Sequence, residues 1–168
     1  MDVLRAVDEG EVAAAFLRAE LDSPRFREEV LAGRRGWRMG GLFHGLPAAI
    51  DWQRVALAPD EVLDILYIDW DWWLKITGGT RSPREAARRI HGGEIAEVEA
   101  EQHRRIAARF QSEDPPPELI AVATPTGPNV LVEGHVRLTS LAVYPQYLPE
   151  RLEVFLGVGD DVGQWSNY

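Results

Sequence analysis

Hydrophobic positions recur at helical spacing through most of the first two-thirds of this chain and in short β-branched runs through the last third. From Asp2 to Leu21, Val3, Leu4, Val7, Val12, Ala15, Phe16 and Ala19 form an apolar stripe that predicts a helix, with Gly10 as a point of division. Ser23 and Pro24 supply the cap and first-turn residues of a second helix running to Gly33. Ile50 to Leu57 predicts a strand. Pro59, Asp60 and Glu61 then open a helix, the acids sitting where the helix dipole prefers them. Val62, Leu63, Leu66, Trp70, Trp73 and Leu74 extend it at helical spacing to Gly78 and Gly79. Leu66, Ile68, Trp70, Trp72 and Leu74 also alternate, so a strand over Leu66–Leu74 stays open. Ser82-Pro83-Arg84-Glu85 reads as a capping box starting a further helix that closes near Gly92-Gly93. Glu94 to Phe110 follows as an amphipathic helix with Ile95, Val98, Ile106 and Phe110 on one face.

Pro115-Pro116-Pro117 is a rigid stop before the apolar strand Leu119–Ala123. Thr126-Gly127-Pro128-Asn129 predicts a turn that joins it to a strand at Val130–Val132, making a hairpin. Glu133 and Gly134 come next, and Leu138, Leu141, Ala142 and Val143 return to helical spacing. A last strand is predicted at Leu152–Leu156.

The strand–glycine–helix junction at Gly134 carries the candidate chemistry. Such a junction leaves backbone N–H groups free at the helix N-terminus, where partial positive charge collects. Gly134 permits close backbone approach, and Arg137 offers a forked cation suited to phosphate. Together they form an anion cradle. The competing account is a glycine needed only for its backbone angles.

This stretch resembles the acid-Gly-x-x-Arg box of the ParB/sulfiredoxin superfamily. Val132-Glu133-Gly134-His135-Val136-Arg137 is similar to the Gly-Glu-Arg-Arg, Gly-Cys-His-Arg and Asp-Gly-His-His-Arg turns of its members, each followed by an apolar helix. Leu152–Gly157 resembles the strand after that helix, so the similarity covers roughly Leu119 to Gly157. The resemblance implies an α+β domain, a small mixed β-sheet surrounded by helices. Residues 1–45 would be a helical N-terminal extension and 80–114 a helical insertion forming a lid, partner surface or substrate wall. It also implies that Glu133, Gly134, His135, Val136 and Arg137 bind nucleotide phosphates, with Thr139 and Ser140 close behind. Free-serine kinases of this superfamily place a catalytic glutamate in a Pro-x-Glu setting after their first strand, which Glu61 matches. His135 stands where sulfiredoxins have their cysteine and the kinases a histidine; it would contact phosphate or carry a proton. Helix-capping chemistry alone also accounts for Glu61.

Composition narrows these options. A chain of 168 residues with 45% hydrophobic content supports one sizeable core. Cysteine is absent, which removes disulfides, thiolate metal sites and the sulfiredoxin reaction. The net charge of −9 argues against a nucleic-acid surface or a DNA clamp. No apolar stretch reaches the length of a membrane span, and Met1-Asp2-Val3-Leu4-Arg5 lacks secretory character, so a soluble cytoplasmic protein is expected.

Other features have two accounts each. Gly33–Gly45, with Arg34, Arg35, Trp37 and Arg38, would clamp a phosphate or stack on a base, or form a solvated loop. Asp69 and Asp71 would bind a cation or lie on an exposed acidic face. His91 and His103 lack metal-ligand spacing and are expected to be exposed. Trp165 would close over a ligand or, the favoured account, pack on the core. The expected function is nucleotide binding (ATP, ADP or CTP with Mg²⁺), with phosphotransfer to a small hydroxylated or amino-acid-like substrate and Glu61 as base. The alternative is a non-catalytic module that senses a nucleotide or binds a protein partner through Trp70–Trp73.

Overall fold

A computed structural model describes residues 1–20, 45–95, 100–113 and 116–168. The helix expected from Ser23 to Gly33 and nearly all of the Arg-rich stretch before Gly45 lie outside these residues. Five strands form one mixed sheet: β1 (Asp2–Ala6), β2 (Asp51–Leu57), β3 (Ile120–Ala123), β4 (Val130–Glu133) and β5 (Leu152–Val158), in the order β1-β2-β5-β3-β4. The β5–β3 pair is parallel and the other three are antiparallel, with Val55 opposite Val154 and Ile120 opposite Phe155. Thus β3 and β4 form the predicted hairpin. The fold is α+β.

Alternation along the strands divides the interior in two. Val55, Leu57, Val154, Leu156, Ala121 and Leu131 face one core. Onto it pack α2 (Pro59–Leu63), α3 (Asp71–Thr77), α4 (Pro83–His91), α5 (Ala100–Ser112) and α6 (His135–Val143). Trp52, Phe155, Ile120, Val122 and Val130 face the opposite core, covered by Val12, Ala15 and Phe16 of α1 (Glu9–Glu20) and by Trp165. Because β3 and β5 are covered on both faces, they read as near-continuous apolar runs. Among the described residues no helix is long and apolar enough to cross a membrane.

Three elements differ from expectation. Asp2–Ala6 is a strand rather than the start of a helix, because the open edge of β2 satisfies its backbone. The helix starts only at Glu9, capped by Asp8 Oδ1, which accepts the Glu11 N–H at 2.8 Å; Gly10 lies within its first turn. The long helix expected from Pro59 is broken after Leu63. Leu66 there makes a parallel bridge to Val130, with Leu66 N–H donating to Asn129 O at 2.9 Å and Leu131 N–H to Leu66 O at 2.8 Å. The helix resumes at Asp71 and ends on Gly78 in the left-handed conformation. At Ser82 the helix begins as predicted, but no capping box forms: Glu85 binds Arg88 instead.

Candidate functional site

The site is built at the junction of β4 and α6. Gly134 is the helix N-cap at φ 101°, ψ 21°, a left-handed conformation suited to glycine. A Cβ there would lie 2.5 Å from Leu119 Cδ2, so space demands glycine as well. The first intrahelical bond runs from Leu138 N–H to Gly134 O at 2.8 Å. The amides of His135, Val136 and Arg137 precede it and have no acceptor among the described residues. Leu138 and Leu141 bury the other side of α6 and fix its direction.

These residues border an open cleft of about 540 Å³. Trp73, from α3, is one wall, while α5 contributes Ile106 and Arg109, so the segment expected to be an insertion supplies part of the lining. Among the described residues its lining includes three arginines and three glutamates in pairs. Arg137 Nη2 donates to Glu133 Oε1 at 2.8 Å, Arg109 Nε to Glu113 at 2.6 Å and Arg18 to Glu118 at 3.5 Å. Glu118 is also bound by Arg54 of β2 at 3.0 Å, whose guanidinium lies over the Phe155 ring. Glu133 Oε1 accepts the Gly134 N–H as well, at 2.8 Å. Its described lining is therefore close to neutral, unlike a cluster of free cations.

His135 occupies the first helical position and is only 9% exposed. Its ring stacks on Trp73, centroids 4.7 Å apart and planes 20° apart, with Tyr67 beyond at 5.9 Å. Burial, and secondarily Arg137, pushes its pKa down to about 3. The ring is thus neutral at ordinary pH and unsuited to carrying protons near pH 7. Its Nε2 is buried without a partner among the described residues, which favours the tautomer with the proton on Nδ1, an orphaned acceptor costing less than an orphaned donor.

Thr139 and Ser140 do not back the cradle. Both are buried and donate to helix carbonyls one turn earlier, Thr139 to His135 O at 2.8 Å and Ser140 to Val136 O at 2.7 Å. With each hydroxyl proton so used, Tyr67 OH donates to Thr139 Oγ1 at 2.7 Å and His103 Nδ1–H donates to Ser140 Oγ at 2.8 Å. Hence His103 is buried rather than exposed, and burial lowers its pKa. The two bonds tie the second turn of α6 to its neighbours.

Glu61 lies elsewhere. Its Oε2 accepts the Ala58 N–H at 2.8 Å, closing the start of α2, and its Oε1 pairs with the Met1 amino group. These contacts, the amino group first, hold its carboxyl below the usual range. Glu61 follows β2 and the cradle follows β4, at the same end of the sheet but with β5 and β3 between them. That separation is three strand spacings, about 14 Å. The fold therefore gathers Glu133, Gly134, His135, Val136 and Arg137 in one cleft without Glu61.

Arg18, Arg109 and Glu118 are site residues that the sequence does not point to, and Trp73 is singled out there only as part of a partner-binding segment. The four come from α1, α3, the end of α5 and the chain just before β3, and only the tertiary fold brings them together. No family model, curated protein or solved structure matches the chain.

Proposed function

We propose that this protein binds a phosphate-bearing small molecule, a nucleotide such as ATP, ADP or CTP, with its phosphate at the N-terminus of α6. The observation that carries this reading is the set of three amides, His135 to Arg137, without acceptors among the described residues, at a helix N-terminus whose residues line a cleft with a guanidinium. Trp73 offers an apolar wall next to that seat. A ParB/sulfiredoxin-like origin is supported by the acid–Gly–x–x–Arg turn between β4 and α6 and by the mixed sheet.

The arrangement favours binding over phosphotransfer based on Glu61, which has its own partners away from the cleft. Glu118 does lie at the cleft, but two arginines hold it, which weakens it as a base. Mg²⁺ would arrive on the ligand's phosphates, since no group of three His, Asp or Glu suited to a metal occurs among the described residues.

A thermal-shift screen with ATP, ADP, GTP, CTP and inorganic phosphate, with and without Mg²⁺, tests the proposal. Ligand at a hundred times its Kd stabilises by about 2.7 kcal/mol, equivalent to about 5–10 °C for a chain of this size. Arg137→Ala should abolish the shift. No shift with any of these ligands would refute phosphate binding. A second function, protein-partner binding, is favoured by Trp70 and Trp72, which are 59% and 37% exposed. It predicts binding that survives Arg137→Ala and is lost in Trp70→Ala.

A further inference from the structure

Glu133 is the last residue of β4, and its backbone runs straight into the anion cradle. One carboxylate oxygen, Oε1, takes both the Gly134 N–H and the Arg137 guanidinium, each at 2.8 Å. Both are donors of the kind a phosphate oxygen takes. Two charge-assisted bonds to one oxygen are strong, and both partners are largely screened from water, with side-chain exposures of 14% for Arg137 and 27% for Glu133. Among the described residues the next three amides are left without acceptors, and His135, whose buried Nε2 has no partner there, is a lining residue of the same cleft.

We propose that Glu133 is a built-in occupant of the anion seat, and that a phosphoryl group binds by exchanging with it. The proposal rests on the phosphate-binding reading above and adds a selectivity to it. Glu133 is tethered to β4 and fills only the Gly134–Arg137 end of the seat. A ligand with one carboxylate would exchange like for like and gain little. A phosphoryl dianion brings more charge to Arg137 and further oxygens for the His135, Val136 and Arg137 amides, which Glu133 does not occupy. Glu133 thus makes the cleft a site for dianionic phosphoryl groups and sets a threshold against carboxylate metabolites. The other cleft arginines have the same restraint, Arg109 held by Glu113 and Arg18 by Glu118, but neither of those carboxylates also occupies a cradle amide.

The test is calorimetric titration of inorganic pyrophosphate and of acetate, at constant ionic strength, into the wild-type chain and Glu133→Gln. Glutamine keeps an oxygen for the turn but removes the competing charge. Pyrophosphate should bind Glu133→Gln at least about tenfold more tightly than wild type, a gain of about 1.4 kcal/mol. Acetate should bind only the variant. Equal or weaker pyrophosphate binding by a folded variant, with wild-type binding intact, overturns the exchange and leaves the phosphate site standing. Pyrophosphate binding to neither chain overturns the phosphate site itself, and the exchange with it. A readout on the wild-type chain covers the case in which the variant does not fold. The Glu133 carboxyl ¹³C and Gly134 amide resonances should move together as pyrophosphate saturates the site; saturation that leaves both unmoved overturns the exchange.

Discussion

Replacing Gly134 by alanine should be among the most damaging single changes in the chain. At φ 101°, ψ 21° an alanine is held in a sparsely populated region of backbone space, costing about 1–3 kcal/mol. Its Cβ would also sit 2.5 Å from Leu119 Cδ2, and Leu119 is fully buried, so it has no free volume to swing into. Overpacking of this kind adds about 1–3 kcal/mol. The combined loss is roughly 2–6 kcal/mol, a large share of a typical domain's stability. Gly79 separates the two terms. It has φ 86°, but a Cβ added there would meet nothing within 4 Å, so Gly79→Ala carries the backbone cost alone. Urea unfolding of both variants should show Gly134→Ala losing at least about 1 kcal/mol more. Trimming the neighbour in Gly134→Ala/Leu119→Ala should recover that difference as a favourable coupling. Equal losses in the two glycine variants, or strict additivity in the double variant, would refute the steric argument. A Gly134→Ala chain as stable as wild type would refute the backbone argument too.

Acid should destabilise the fold through His135. The unfolded ring titrates near 6.5 and the folded one near 3, so the unfolded chain binds the proton first. Stability is therefore fully present above about pH 6.5 and falls as pH drops toward 3, by up to about 1.4 kcal/mol per unit. His135→Phe should flatten this limb in urea midpoints between pH 7 and pH 4, and an unchanged slope would show that the buried ring is not responsible. Tyr67→Phe removes the hydroxyl that donates to Thr139 and should cost about 1 kcal/mol, read as a fall of about 2–4 °C in Tm. Ser140→Ala leaves the buried His103 Nδ1–H without its acceptor and should cost about 1–3 kcal/mol; no loss would mean the bond does not form in solution. Trp70→Ala, at an exposed position, should change unfolding free energy by no more than about 0.5 kcal/mol.

What can be read from sequence is local. Val130-Leu131-Val132 followed by a glycine and a renewed helical period predicts the β4–α6 junction, and Thr126–Asn129 predicts the hairpin turn, because each signal lies within a few residues. Strand β1 is not legible in this way, because its five exposed residues become a strand only by pairing with β2, about fifty residues on. The bridge at Leu66 likewise overrides an unbroken helical period by offering a backbone partner on β4. Thr139 and Ser140 look like cradle residues because they closely follow the box. Hydroxyls at mid-helix positions, however, bond back to the carbonyl four residues earlier, and that rule already points away from the cleft. Glu61 fits a local pattern, but strand order, which spacing does not encode, separates it from the cradle.

The strand that closes the sheet is the last one made. Until β5 emerges, the earlier strands can form only two ribbons, β1 with β2 and β3 with β4, and a two-stranded ribbon is marginal in water. Strand β5 then inserts between them, antiparallel to one and parallel to the other, and supplies Val154, Phe155 and Leu156 to both cores at once. During synthesis, then, the nascent chain displays two apolar strand edges, β2 and β3, for as long as Leu152–Val158 is awaited. A chain interrupted before Leu152 should be a client for chaperones and proteases rather than a smaller folded protein.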